Sequence, residues 1–245
     1  MKHIIITGAS KGLGNALAHE MADSNTTLHL VSRSDMTELR DTLSRKGAKI
    51  ITYQFDLSRT DALHVFTSQL FKDINLKTAT WVVLINNAGM LEPIGPIGKY
   101  ATDEYRTNLE VNFVAPTLLC HEFIKYTANF MGKLRIMNVS SGAAKKAYHG
   151  WSHYCATKAA TDMITQSVAL EHGSRIGCIG YNPGRTDTGM QDAIRKSSKE
   201  DFEHVENFVQ AWEDGILNDP LKVARHMKAI LLAEVIESGH IYKFG

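Results

Sequence analysis

Directly behind the apolar run Ile4-Ile5-Ile6 the chain reads Thr7-Gly8-Ala9-Ser10-Lys11-Gly12-Leu13-Gly14, and no other stretch restricts its fold as much. A short apolar run that ends in glycines and opens into the spacing Leu13, Leu17, Met21 is a strand, a tight turn and a helix in succession. Glycines at 8, 12 and 14 permit positive φ and remove the Cβ atoms that hold a backbone away from a pyrophosphate. The helix that follows aims its free N–H groups at the same anion. Gly8, Ser10, Lys11, Gly12, Leu13 and Gly14 are therefore the expected phosphate contacts. The spacing T-G-x-x-x-G-x-G differs from the commoner G-x-G-x-x-G, and taken alone it leaves a purely structural turn open.

The same alternation continues to the end of the chain. Apolar runs near 2–7, 27–32, 48–54, 80–86, 133–139, 175–182 and 240–244 alternate with segments of helical period such as Leu63, Phe66 and Leu70. The expectation is an α/β fold, a single Rossmann domain over 1–245 with a doubly wound, seven-stranded, mostly parallel sheet flanked by helices. Two helices, about 102–130 and 152–171, are longer than covering a sheet requires. From Asp187 to about Asp214 polar residues surround Met190, Phe202, Phe208 and Trp212, either as a solvated helical insertion or as a substrate lid over the strands' carboxyl ends; the lid is the reading taken.

With 27 basic and 26 acidic residues the net charge is +1, which leaves no single-sign field for nucleic acid. No apolar stretch approaches bilayer length, so no membrane partner and a cytoplasmic location are expected. Cys120, Cys155 and Cys178 are odd in number and widely spaced, against a disulfide framework, and the 11 histidines form no metal-ligand pattern, so no metal is expected.

Tyr154-Cys155-Ala156-Thr157-Lys158 sets a phenol and an ammonium one helical turn apart on one face. A neighbouring cation favours phenolate, so the spacing predicts a lowered Tyr154 pKa and a group that exchanges a proton with a carbonyl oxygen. An ordinary pair on a solvated helix face has the same spacing. Three further features accompany it: Asn86-Asn87-Ala88-Gly89 behind an apolar strand, Asn112 in the first long helix, and Ser140-Ser141 after Leu134–Val139.

Taken in order with Asp56-Leu57 and Asn182-Pro183-Gly184, these residues resemble the short-chain dehydrogenase/reductase family over nearly the whole chain. The resemblance implies Ser141 polarising the substrate carbonyl, with Ser140 facing the sheet core, and Tyr154 as general acid. It implies Lys158 lowering the phenol's pKa and binding the ribose, with the Asn112 backbone carbonyl holding a water that leads from Lys158 to solvent. It further assigns Asp56 and Leu57 to the adenine, with a helix-start role for Asp56 as the alternative. Asn86, Ala88 and Gly89 are assigned to the cofactor cleft, and Pro183, Gly184, Thr186 and Thr188 to the nicotinamide side. Members that prefer NAD carry an acid at the end of the second strand. Here that position is Ser32, followed by Arg33, and with Lys11 nearby the implied cofactor is NADPH/NADP. Asp35 dissents only if it turns inward rather than capping the next helix.

Gly150–Ala160 and Asp187–Gln191 resemble the sepiapterin reductase branch and, within it, the bacterial benzil reductases. Tyr148, Trp151, Met190 and Trp212 are the candidate substrate contacts and suit a bulky hydrophobic ketone or 1,2-diketone. By approximate alignment Tyr242 stands where that branch keeps a pterin-anchoring acid, which leaves pterin reduction as the runner-up. A cofactor-binding sensor without turnover is the alternative from another class. The two long helices resemble those that pair in family dimers, implying a homodimer.

Overall fold

The computed structural model describes residues 1–245. Its strands are β1 (Lys2–Thr7), β2 (Thr26–Ser32), β3 (Lys49–Gln54), β4 (Trp81–Asn86), β5 (Lys133–Val139), β6 (Ile176–Asn182) and β7 (Ile241–Lys243). They form one 7-stranded sheet in the order β3-β2-β1-β4-β5-β6-β7. Every pairing is parallel, so the sheet is wholly rather than mostly parallel.

A parallel sheet covered on both faces needs strands that are apolar on both, which Ile4-Ile5-Ile6 and Val82-Val83-Leu84-Ile85 supply. Alternate side chains feed opposite layers. Ile4, Ile6, Val83 and Ile85 pack with α1 (Gly12–Met21), α2 (Thr37–Ser44) and α9 (Pro220–Leu231). Ile5, Val82 and Leu84 pack with α3 (Leu63–Lys72), α5 (Ala115–Tyr126) and α6 (Ser152–His172).

The helix expected over 102–130 is broken. It runs as α4 (Thr102–Leu109), a π turn at Glu110–Val114, and α5, ending at Tyr126. Pro116 has no N–H to offer the carbonyl of Asn112 four residues back, and a locally widened turn accommodates such a residue. The second long helix, α6, appears as expected and extends to His172.

Strand order reverses between β1 and β4, so the loops leaving their carboxyl ends diverge and open a crevice. Over one end of it lie α7 (Gly189–Arg195) and α8 (Val205–Glu213). They are held by a separate apolar cluster in which Ile194, Phe202, Val205 and Phe208 meet Leu91, Trp151 and Tyr154.

Candidate active site

The crevice holds a cavity of about 1020 Å³, at the upper end of the range for ligand sites. The β1–α1 turn forms one side. Gly8 and Gly12 have φ of +67° and +56°, and a Cβ on Gly8 would lie 2.8 Å from the Ala88 Cα. That close approach is secured by Thr7, whose Oγ1 accepts the backbone N–H groups of Asn87 and Ala88 at 3.0 Å each. A Cβ on Gly12 would come within 3.2 Å of the Thr188 methyl, so the start of the 187–214 segment crosses the cleft opposite the turn. The first turn of α1 contains no acidic residue, and its free N–H groups face the cavity as an anion cradle.

All six residues expected at the turn, Gly8 and Ser10 to Gly14 without Ala9, line this cavity. So do Ser32, Arg33, Asp56, Leu57, Ala88, Gly89, Pro183, Gly184, Thr186 and Thr188. Ser32 Oγ donates to Ser10 Oγ at 2.8 Å, tying the end of β2 to the glycine turn beside Arg33. Asp35 is turned the other way: its carboxylate accepts from the Thr37 N–H and hydroxyl at 3.2 and 2.9 Å, at the start of α2. Asp56 Oδ1 accepts from the Ser58 N–H and hydroxyl at 2.9 Å each, so the turn role and the cavity position coexist.

Three expected contacts lie off the cavity wall: Asn86, Trp212 and Asn112. Asn86 ends β4 with its side chain on the α5 layer, where Nδ2 donates to Asn138 Oδ1 at 2.8 Å; the next residue, Asn87, is on the cavity wall instead. Trp212 is 53 % exposed at the end of α8 and lies under the Arg195 guanidinium, 5.0 Å from its ring centroid. Phe208, one turn earlier, is the aromatic residue that α8 sends to the cavity. Its apolar spacing with Val205 and Ala211 was the available signal. Leu91, Arg185, Gln191 and Ile194 also line the cavity and carry no motif that marks them.

At the inner end, Tyr154, Ser141 and Lys158 meet beside Tyr148, Trp151 and Met190. Ser141 follows the last residues of β5 and opens a short 3-10 turn, its hydroxyl accepting from the Ala143 N–H at 3.1 Å. Ser140 faces the core, 2 % exposed. Tyr154 Oη lies 4.0 Å from Met190 Sδ. Lys158 Nζ lies 5.7 Å from the Tyr154 ring centroid and donates to the Val139 carbonyl at 2.8 Å.

Burial governs the charge of both groups. It pushes the Tyr154 phenol up to about 12, with the facing Ser141 hydroxyl opposing, and the Lys158 ammonium down to about 8, with Asp162 opposing. The expectation that Lys158 acidifies Tyr154 is thus corrected for the free protein: desolvation of a buried phenol outweighs an ammonium engaged with a carbonyl. The site presents a neutral phenol beside a cation.

Asn112 stands behind this group rather than on the cavity wall. Its amide grips Met90, with Oδ1 accepting from the Met90 N–H at 2.9 Å and Nδ2 donating to the Met90 carbonyl at 2.7 Å. A Cβ on Gly89 would lie 3.3 Å from Asn112 Oδ1 and 3.7 Å from Lys158 Nζ, so both residues close on that glycine. Thr161 Oγ1 donates to the Asn112 carbonyl at 3.4 Å. Tyr242 lies off the cavity, its hydroxyl accepting from the Glu237 N–H at 3.2 Å.

The glycine turn, the widened cleft and the Ser–Tyr–Lys group fit a nicotinamide dinucleotide, and comparison with known proteins agrees. A family model for short chain dehydrogenases matches residues 2–199. The chain belongs to the short-chain dehydrogenases/reductases. It is thereby an oxidoreductase acting between carbonyl and alcohol with a nicotinamide cofactor. It is 34 % identical to a benzil reductase ((S)-benzoin forming) of Bacillus cereus, over 99 % of both chains. It is 38 % identical to the Bacillus subtilis benzil reductase ((S)-benzoin forming), over 99 % of this chain and 98 % of that one. Among solved structures, the KRED1-Pglu enzyme superposes with a TM-score of 0.81 at 27 % identity, covering 98 % of this chain and 100 % of that one.

Proposed function

We propose that this short-chain dehydrogenase/reductase is an NADPH-dependent carbonyl reductase of bulky hydrophobic ketones and 1,2-diketones such as benzil, which it converts to the (S)-hydroxyketone. The observation that carries this reading is a protonated Tyr154 facing Ser141 at the end of a cavity walled by Tyr148, Trp151, Met190, Ile194 and Phe208. Diaryl compounds match such a wall in polarity and in stacking geometry.

The bound cofactor supplies the hydride. Ser141 and Tyr154 place two hydroxyl donors where negative charge develops on the carbonyl oxygen, and Tyr154 delivers the proton from its hydroxyl. Lys158 holds positive charge beside the phenol, which steadies the phenolate left behind. The Asn112 carbonyl, unserved by Pro116, is placed to hold a water on the route by which Tyr154 regains its proton. Gly89, Ala88, Pro183, Gly184, Thr186 and Thr188 shape the nicotinamide end, and Asp56 and Leu57 the adenine end.

At the second strand Ser32, Arg33 and Lys11 offer hydroxyl and cationic donors and no acid, which favours a 2′-phosphate. Charge-assisted hydrogen bonds of this kind are worth about 1.5–3 kcal/mol each. Residues 187–214 act as a lid that completes the apolar wall. The enzyme works as a homodimer in the cytoplasm, a reducing compartment that three free cysteines suit.

A pterin is the second reading, favoured by Glu92, an acid on the cavity wall. Following cofactor absorbance with benzil and with sepiapterin, each with NADPH and NADH, and resolving the benzoin on a chiral column, tests the proposal. Faster turnover of benzil with NADPH, giving the (S)-product, is expected. Preference for sepiapterin or for NADH overturns the corresponding half, and binding of NADPH without turnover of any carbonyl compound turns the protein into a sensor.

A further inference from the structure

Helix α6 holds the end of β5 at three consecutive residues, the first being Asn138, whose Nδ2 donates to Thr165 Oγ1 at 2.9 Å. Lys158 Nζ donates to the Val139 carbonyl at 2.8 Å, and Asp162, one turn further along the same face, accepts from Ser140 Oγ through Oδ1. The next residue in the chain is Ser141. The second carboxylate oxygen, Asp162 Oδ2, lies 2.9 Å from Lys145 Nζ, just past the short turn that Ser141 opens. One carboxylate thus touches both sides of the segment that presents the Ser141 hydroxyl.

A carboxylate only 7 % exposed is costly to bury, and the neutral Asn138–Thr165 pair on β5 shows that α6 can meet this strand without a charge. The proton route through Tyr154, Lys158 and Asn112 makes no use of it. The groups around Lys158 are the Tyr154 phenol on its own helix, Asp162 on the same helix, the Val139 carbonyl from β5 and the neutral Asn112 amide across Gly89; Lys145 faces Asp162 from the loop.

We propose that Asp162 is a positioning residue: with Lys158 it forms a two-point clamp that fixes Ser141 against Tyr154, and it is the anion that balances the buried Lys158 ammonium. This rests on the reading in which Ser141, Tyr154 and Lys158 carry the reaction. Its charge opposes the desolvation that weakens the Lys158 ammonium, which gives the clamp a signature that a simple staple between helix and sheet lacks.

The test uses the full chain in three variants. Asp162→Asn keeps an acceptor for Ser140 but removes the charge, Ser140→Ala removes the bond but keeps the charge, and Asp162→Ala removes both. With lysine ¹³Cε labelling and the Lys158 resonance identified by its absence in Lys158→Met, the Lys158 titration is followed in the protein without substrate. A midpoint at lower pH in Asp162→Asn and an unchanged one in Ser140→Ala are expected. In turnover, Ser140→Ala and Asp162→Ala lose ~10–100-fold in kcat, the size expected for a small misplacement of a reacting group, while NADPH affinity is kept.

The same Lys158 midpoint in Asp162→Asn as in the unaltered chain overturns the charge role. Full kcat in Ser140→Ala overturns the clamp, and that variant decides the matter if Asp162→Ala does not fold. Failure of the unaltered chain to reduce benzil is a separate result, which refutes the substrate and leaves the titration to decide the charge role.

Discussion

With 6 % of its surface exposed, Tyr154 keeps its proton far above the physiological range, and in the proposed mechanism the event that ends reduction as pH rises is loss of charge at Lys158. Lys158 is pressed by burial to about 8, whereas the phenol is held at about 12. Raising the pH through 8 therefore discharges the lysine while the phenol is still neutral. Removing that cation leaves the phenolate formed on proton delivery unsupported. The expected profile of kcat/KM for benzil reduction, which reports the groups of the free enzyme, is level on the acid side of pH 8 and falls on the alkaline side. Rates that rise steadily to pH 10 contradict the assignment.

At the scale of single elements, the strands and the long helix α6 were legible because burial on two faces and helical period leave strong patterns. Three features left none. The π turn at Glu110–Val114 depends on Pro116 lying inside an otherwise continuous helix, where a proline more often reads as a boundary. Asn86 and Asn87 differ by one residue, which at a strand end decides whether a side chain enters the sheet layer or the cleft. Trp212 follows Phe208 by one turn, and only the end of α8 and the position of Arg195 place it outside the cavity.

A chain of polar side chains links β1, β2 and β3. The Tyr53 hydroxyl donates to Asp73 Oδ2 at 2.8 Å and lies 3.0 Å from His29 Nδ1, while His29 Nε2 lies 3.0 Å from His3 Nδ1. The direction of the Tyr53 bond makes His29 Nδ1 a donor and His29 Nε2 an acceptor, so His3 carries its proton on Nδ1. His3 Nε2 then faces inward with no partner. Burial lowers both imidazoles, His29 from 6.5 to about 3.

A base whose folded pKa is depressed stabilises the fold above its unfolded value, and that contribution drains away as pH falls toward the folded one. His29 alone costs roughly 2 kcal/mol between neutral pH and pH 5. The urea midpoint of the unaltered chain should therefore fall more steeply below pH 6.5 than that of His29→Asn; parallel curves rule the linkage out.

For the whole molecule, the outer face of α6 is the feature without a partner. Ala156, Ala159, Met163, Gln166 and Leu170 are exposed along it at helical spacing, Met163 at 62 % and Leu170 at 89 %. Two copies packed along this face bury an apolar stripe on the same helix that carries Tyr154 and Lys158. Sedimentation should give twice the 27.2 kDa chain mass, and Met163→Asp with Leu170→Asp should shift it to the monomer. A monomer at every concentration in the unaltered chain refutes the homodimer.

The fold and the meeting of Ser141, Tyr154 and Lys158 at one cavity were readable from order and spacing. Protonation states were not, because they depend on how much water the folded cleft leaves around each group. The central assignment, a Tyr154 hydroxyl that gives its proton to the carbonyl oxygen, is tested most directly by kcat of Tyr154→Phe in benzil reduction, measured beside its NADPH dissociation constant. The account predicts that kcat falls by about 10²–10⁴-fold with NADPH affinity essentially unchanged; turnover within a few-fold of the unaltered chain contradicts it.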